Sequence, residues 1–156
     1  MKKKIFIAIA AILVLMQAIR LEKNEGDVNG PNALVVTGEV QAILEKSCYD
    51  CHSNKTNYPW YSNIQPVGWW LQYHVNDGKK HFNLSEFNAY DAKKKAHKME
   101  EMGEMLAEHE MPLESYLWIH KDAALSAEQL QLLTDWAKSV QIQYSPGGVI
   151  EEEQHN

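Results

Sequence analysis

The chain has 156 residues, of which 45% are hydrophobic and 23% charged, the composition of one ordinary globular domain with a small core. Its formal net charge is −6, which excludes a surface that must neutralise nucleic-acid phosphates. The charge is uneven, because residues 1–23 hold five cations and one acid, leaving ten cations against 20 acids in residues 24–156. Two cysteines are too few for a disulfide framework or a four-thiolate metal site, so a single pair must do any chemistry that they serve.

The chain begins with a lysine cluster followed by an apolar stretch. Residues 2–4 are all lysine, and residues 5–19 are almost entirely apolar, which is the pattern of an export signal. The stretch does not end in a small-x-small cleavage site. Residues 1–21 are therefore predicted to be either an uncleaved inner-membrane anchor or a signal that is removed on export to the periplasm. A helix of this length spans about 22 Å, so crossing a hydrocarbon core of about 30 Å would require local thinning of the bilayer.

Polar segments flank the remaining domain. Residues 22–36 carry two glycines and a proline without an apolar period, and they predict a tether. Residues 145–156 predict a flexible tail. The domain itself is therefore expected over residues 37–144.

Apolar periodicity within the domain predicts an all-α fold of about four helices, and no segment shows a convincing strand pattern. The predicted helices run from Thr37 through Cys51, from Pro66 to about Gly78, from Ser85 to Pro112 with a break near Gly103, and onward from a capping box at Ser126 and Gln129. Between the first two helices, residues 53–65 predict an aromatic-rich loop that covers part of the fold.

The motif that carries chemistry is Cys48-Tyr49-Asp50-Cys51-His52, a C-x-x-C-H sequence of the kind that attaches c-type haem. Thiols three residues apart on one helical turn reach two neighbouring substituents on one porphyrin edge, and the histidine that follows is then placed beneath the iron. Cys48 and Cys51 are therefore predicted to form thioethers, and His52 to be the proximal axial ligand of one haem iron.

Three other uses of the cysteine pair are weighed against haem attachment. A thioredoxin-like redox pair belongs in a βαβ context, which a helical chain does not offer. A zinc site requires more ligands at a short spacing, and the later histidines lie too far apart along the chain. A disulfide across one helical turn would be strained and would cross-link little chain.

The chain resembles monohaem cytochromes c with His/Met ligation over residues 38–142. The resemblance rests on the order helix, C-x-x-C-H, aromatic loop, Met111-Pro112 and a closing helix that contains Trp136. More narrowly, the segments 58–78 and 110–120 are similar to small exported haem-binding-domain proteins of Bacteroidetes-type bacteria. The resemblance implies a cytochrome c-like bundle around one covalent haem, and export.

The sixth iron ligand decides the function. Met111 stands where the resembling cytochromes place a thioether ligand, and Pro112 is expected to end the preceding helix and to hold Met111 in an extended segment. His74, His120 or an open position are the alternatives. His74 is also a candidate haem contact, as are Trp70 and Tyr116, and the aromatic residues as a group are expected to keep the site dry: Trp60, Tyr61, Trp69, Trp70 and Tyr116.

A His/Met site predicts a single-electron carrier rather than an enzyme, working between redox partner proteins. An open or labile sixth position predicts instead a gas sensor or a peroxidase-like enzyme, in which His74 would act as a distal acid–base group. A haem subunit of a larger assembly is the third possibility.

Overall fold

The computed structural model describes residues 1–147, which form α-helices and short 3₁₀ helices without a β-strand. The α-helices are α1 (Lys2–Met16), α2 (Gly38–Ser47), α3 (Tyr49–His52), α4 (Val67–His81), α5 (Ala92–Ala107), α6 (Glu114–Leu117) and α7 (Ala127–Tyr144). The 3₁₀ helices are Trp60–Asn63, Leu84–Ala89 and Lys121–Ala123. The all-α prediction is confirmed for these residues, whereas most of the predicted tail, residues 148–156, lies outside them.

The core forms where α5 packs along α7 and where α2 and the 3₁₀ helix Leu84–Ala89 close against this pair. The fully buried side chains of the two core clusters are mostly aliphatic: Ile43, Leu44, Leu84, Phe87, Met99, Leu106, Leu133 and Ala137. The predicted capping box at the start of α7 is confirmed. Gln129 donates its backbone N–H to Ser126 Oγ at 3.2 Å and accepts the Ser126 N–H on Oε1 at 3.1 Å.

The single helix predicted from Ser85 to Pro112 is wrong, because the chain breaks near Tyr90 instead of near Gly103. Asp91 begins α5 by accepting the backbone N–H of Lys94 on Oδ1 at 2.8 Å. An N-cap of this kind satisfies one of the free N–H groups at a helix start, so it defines a new helix after the 3₁₀ turn.

The helix α5 ends before Pro112, and a left-handed residue ends it. His109 has φ 57°, its N–H donates to the Leu106 carbonyl at 3.1 Å, and the Glu110 N–H donates to the Met105 carbonyl at 2.9 Å. This pair of bonds is a Schellman motif, in which a glycine is the usual left-handed residue. The helix therefore stops at Ala107.

The helix predicted to carry both cysteines is interrupted at Cys48, which separates α2 from α3. The backbone of Cys48 is non-helical, yet its carbonyl accepts the N–H groups of Cys51 at 3.2 Å and His52 at 2.9 Å. The single turn α3 thus holds the second half of the motif, while Cys48 stays at the end of α2.

The N-terminal helix α1 has no buried residue. Its 15 residues are shorter than the span expected for a crossing helix. In the part of the chain that the structure describes, residues 1–147, none of the helices combines the length and the apolar character that crossing a bilayer requires.

The segment predicted as a tether, residues 22–36, contacts the domain. Glu25 forms an isolated antiparallel bridge with Lys55, and the Leu34 N–H donates to the Leu84 carbonyl at 2.8 Å. Asn24 is buried. The polar residues of this segment therefore make hydrogen bonds with the loop that follows α3.

Candidate functional site

A cavity of about 510 Å³ opens between α3, α4, α5 and the segment that joins α5 to α6. Its volume lies in the usual range for cofactor pockets. Eight of the 23 residues in its wall are aliphatic or carry a thioether: Leu44, Leu84, Met102, Met105, Leu106, Met111, Pro112 and Leu113.

The three motif residues Cys48, Cys51 and His52 all line this cavity. Both cysteines are free thiols. Burial, with Cys51 nearby, raises the pKa of the Cys48 thiol to about 12, and burial, with Asp50 adjacent, raises the pKa of the Cys51 thiol to about 11. The reactive cysteines of thiol oxidoreductases have lowered pKa values, so these thiols have the opposite character.

The imidazole of His52 is held in one tautomer. Its Nδ1 lies 2.9 Å from the carbonyl oxygen of Phe82, which can only accept, so Nδ1 carries the proton and donates. The other nitrogen, Nε2, keeps its lone pair. Burial lowers the pKa of His52, which favours the neutral ring. A neutral histidine oriented by a backbone carbonyl is the arrangement that metal-binding histidines adopt.

Gly78 allows α4 to lie against α3. A Cβ atom at this position would stand 2.7 Å from the carbonyl oxygen of Cys51 and 3.1 Å from its Cβ. Only glycine permits this approach. Sequence reasoning missed this role, and the one available signal was a glycine inside an amphipathic helix.

The polar loop after α3 is fixed by side-chain hydrogen bonds to the motif. Ser53 donates Oγ–H to the Tyr49 carbonyl at 2.7 Å, and Thr56 donates Oγ1–H to the Asp50 carbonyl at 2.6 Å. Asn54 donates its backbone N–H to Ser85 Oγ at 3.0 Å. The polar residues that indicated a loop in this segment therefore also hold the single turn α3 in place.

A chain of polar contacts joins the motif to the segment after Met111. Tyr116 lines the cavity and donates its hydroxyl to Asp50 Oδ2 at 2.8 Å. Its ring stacks on His120 with centroids 4.3 Å apart, and His120 Nε2 lies 3.0 Å from the Tyr61 hydroxyl. Burial and the bond to Asp50 raise the pKa of Tyr116 well above its ordinary value.

The structure places Met111 in the cavity wall, where the sequence predicted a ligand. Met102 and Met105 of α5 line the same cavity. Sequence reasoning singled out Met111 alone, because the other two fit a core stripe equally well. The cavity thus offers three thioethers.

The two alternative histidines differ in position. His74 lines the cavity, and its Nδ1 donates to the Trp70 carbonyl at 2.8 Å, which leaves Nε2 free. His120 is not in the cavity wall, and its Nε2 already bonds Tyr61. His74 is therefore placed to meet a bound group, whereas His120 lies outside the cavity wall.

Among the five aromatic residues that the sequence grouped as a cover of the site, Tyr116 is the one that lines the cavity. Tyr116 lines the cavity, but Trp70 does not and is 48% exposed. Trp60 is 76% exposed, and Trp69 bonds the backbone of Ile19 instead. The aliphatic and methionine side chains of α2, α5 and the joining segment provide the apolar wall.

A family model described as a haem-binding domain matches residues 11–139. The chain belongs to the haem-binding domain family. The matched range begins within α1 and ends within α7, so it contains the whole cavity. Comparison with curated proteins and with solved structures found no match.

The residues of this haem-binding domain fit the group that the family implies. The cavity has the volume and the apolar wall that a porphyrin needs, and His52 presents a free, oriented Nε2. Among residues 1–147, groups of three or more His, Cys, Asp or Glu side chains that could hold a bare metal ion do not occur.

Charged and titratable side chains from α3, α4 and α5 of the haem-binding domain also line the cavity. Lys98 is mostly buried and donates Nζ–H to Glu101 Oε2 at 2.6 Å. His81 and Asp77, also in the wall, lie 3.6 Å apart. Porphyrins carry carboxylates at one edge, and Lys98 is the ammonium group of the wall that could pair with them.

Proposed function

We propose that this haem-binding domain is an exported c-type electron carrier. One haem is attached through Cys48 and Cys51, its iron is held by His52 and Met111, and single electrons pass to and from redox partner proteins. The observation that carries the proposal is the hydrogen bond from His52 Nδ1 to the Phe82 carbonyl, because it presents Nε2 to the cavity beside both thiols.

The thiol chemistry agrees with covalent attachment. Each protonated thiol adds across one vinyl group, so that sulfur bonds one vinyl carbon and the thiol hydrogen is transferred to the other. The raised pKa values of Cys48 and Cys51 keep both sulfurs in the thiol form at neutral pH. Gly78 and the polar loop hold the single turn α3, which carries Cys51 and His52.

The methionine ligand separates an electron carrier from an enzyme. Haem iron supplies one-electron oxidation and reduction, and a histidine with a methionine raises its reduction potential relative to two histidines. With His52 and Met111 both holding the iron, small molecules would have no open coordination site. The chain's own contribution is to orient His52, to present Met111 and to exclude water with an apolar wall.

His74 favours a second candidate function. His74 lines the same cavity and bonds the Trp70 carbonyl through Nδ1, so an open or labile sixth position would have an acid–base group nearby. Such a site would bind diatomic gases or peroxide. This candidate predicts ligand access to iron, which the first does not.

Export and membrane attachment belong to the same proposal. Haem attachment to a C-x-x-C-H motif takes place on the outer side of the bacterial inner membrane, and α1 has the lysine cluster and apolar sequence of an export segment. We place the domain in the periplasm, held at the inner membrane by α1.

Absorption spectra of the full chain, matured with a c-haem assembly system, test the proposal. The spectra are recorded oxidised, reduced, and reduced under carbon monoxide. We expect haem that stays with the polypeptide after denaturation and that ignores carbon monoxide. Loss of all haem on denaturation would contradict covalent attachment, and prompt carbon monoxide binding would favour the second candidate.

The substitution Met111→Ala identifies the sixth ligand, with Met105→Ala as its matched control. Both methionines line the cavity. Because each is replaced by alanine, the two substitutions remove a similar volume from the cavity wall. We expect the ferric spectrum to change and carbon monoxide to bind only after Met111→Ala. If instead His74→Ala produces this change, the axial pair is His52 and His74.

A further inference from the structure

Four large apolar side chains are exposed between residues 60 and 70. Trp60 is 76% exposed, Trp70 48%, Ile64 45% and Val67 42%. None of them lines the cavity, so the proposed haem site does not explain them. We call these four residues the α4 patch. Soluble proteins seldom expose so many large apolar groups close together without a binding role.

The end of α1 is bound to this same segment. The contacts are the paired bonds of Gln17 with the backbone of Gln65 (2.9 and 3.0 Å), the indole N–H of Trp69 donated to the Ile19 carbonyl (3.0 Å), and the guanidinium of Arg20 donated to the Asn63 carbonyl. Residues 17–20 therefore lie along residues 63–69. Ile64 and Val67 of the α4 patch belong to this contacted segment, so the patch adjoins the residues that follow α1.

The exposed apolar side chains of α1 indicate that lipid surrounds this helix. The helix has no buried residue, and its exposed side chains are apolar on every side: Ile5, Phe6, Ile7, Ile9, Ile12, Leu13, Val14 and Leu15. A helix that is apolar all round is stable only in an apolar medium. Lysines stand at its start and Arg20 follows its end, and both suit phospholipid phosphates.

We propose that the α4 patch enters the interfacial layer of the bilayer that takes up α1, so that the domain sits on the membrane in one orientation instead of hanging from a tether. This inference rests on the membrane attachment proposed above. Tryptophan favours this layer, because its ring is apolar while its N–H remains a donor. Ile64 and Val67 add aliphatic area beside the two indoles.

Photo-crosslinking of the haem-loaded full chain tests the proposal. The chain is bound to vesicles of phosphatidylethanolamine and phosphatidylglycerol that contain a small share of phospholipid with a diazirine in its acyl chain. Adducts are mapped by mass spectrometry after illumination. We expect adducts in α1 and within residues 60–70, and none at Val35 or Ile142, which are 85% and 55% exposed.

Paired substitutions make the test specific. Trp60→Ser with Val67→Ser is expected to lower the adduct yield within residues 60–70 by about tenfold while leaving the α1 adducts unchanged. Val35→Ser with Ile142→Ser is the matched control and should change neither. All four side chains are exposed, so an unchanged haem spectrum and circular dichroism spectrum will confirm that each variant is folded.

The outcomes separate this inference from the proposal on which it rests. Adducts in α1 alone would contradict the proposal that the α4 patch enters the bilayer, while membrane attachment through α1 would still hold. Adducts in neither region overturn both. Adducts at Val35 and Ile142 as strong as those within residues 60–70 also overturn the patch, as does a lipid-free dimer that Trp60→Ser with Val67→Ser dissociates. The carbon monoxide test of the electron carrier is independent of each result.

Discussion

Backbone atoms shape the candidate haem site as much as side chains do. The Phe82 carbonyl selects the tautomer of His52, and the absent side chain of Gly78 lets α4 reach the Cys51 carbonyl. Neither Phe82 nor Gly78 belongs to the C-x-x-C-H motif itself. Both decide whether Cys51 and His52 stand where a porphyrin can meet them.

Gly78→Ala should weaken the site, since the added Cβ would stand 2.7 Å from a backbone oxygen that cannot move away easily. We expect the free energy of unfolding to fall by about 2 kcal/mol and the yield of covalent haem to fall with it. Denaturant titration and haem quantification measure the two effects.

Gly103→Ala is the matched control, because a Cβ there meets nothing within 4 Å in the middle of α5. This change should raise the free energy of unfolding by about 0.5–1 kcal/mol through better helix propensity. If the Gly78→Ala variant and the unsubstituted chain have the same free energy of unfolding, the packing of α4 against α3 does not depend on glycine at position 78.

Tyr116→Phe should loosen the segment that presents Met111. The change removes the 2.8 Å hydrogen bond to the Asp50 carboxylate between the two cysteines, at a cost of about 2 kcal/mol in the free energy of unfolding. On the proposed Met111 ligation the unsubstituted ferrous haem does not bind carbon monoxide, whereas we expect this variant to bind it measurably, because Met111 would be displaced more readily.

Tyr73→Phe serves as the control for Tyr116→Phe, since Tyr73 also lines the cavity but is exposed. It should leave both the stability and the carbon monoxide rate unchanged. If the two variants bind carbon monoxide at the same rate, the contact between Tyr116 and Asp50 does not control the sixth ligand.

At the scale of the helices, predictions succeeded where a boundary has a short local pattern. The capping box at Ser126 and Gln129 is readable because both partners lie three residues apart. The breaks at Cys48 and near Tyr90 were missed, since apolar periodicity continues across them. Tertiary packing and the Asp91 cap override periodicity at these points.

His109→Gly should stabilise the end of α5. His109 adopts φ 57°, a conformation that costs a side-chain-bearing residue about 1 kcal/mol, and glycine adopts it freely. We expect the free energy of unfolding to rise by up to about 1 kcal/mol in a thermal or denaturant titration.

His97→Gly provides the contrast, since His97 lies in the interior of the same helix, where glycine lowers stability by about 0.5–1 kcal/mol. If the His109→Gly variant is instead less stable, the left-handed conformation of His109 does not cost the folded chain the expected free energy.

At the scale of the whole molecule, residues 22–36 are joined by specific hydrogen bonds to the loop that follows the C-x-x-C-H motif. Asn24 donates Nδ2–H to the Ser53 carbonyl and to Thr56 Oγ1, both at 3.0 Å, and its backbone N–H donates to the Tyr58 hydroxyl at 2.7 Å. The loop after the motif is therefore fixed partly by residues that precede α2.

Asn24→Ala should release this segment. The change leaves buried acceptors without a partner, so we expect the free energy of unfolding to fall by about 2 kcal/mol and trypsin to cut faster after Lys23. Asn29→Ala, at an exposed position of the same segment, should alter neither by a measurable amount. Equal cleavage rates in the two variants would restore the interpretation of residues 22–36 as a free tether.

The sequence by itself determined the all-α class, the Cys48-x-x-Cys51-His52 motif, the apolar N-terminal helix and the cap of α7. Each depends on residue types at short spacing, where covalent geometry places the partners. The tertiary structure decided which side chains line the cavity, which nitrogen of His52 is free, and that Trp60 and Trp70 are exposed. Residues far apart along the chain form these contacts, such as His52 with Phe82 or Gln17 with Gln65, and only the packing of several helices brings them together.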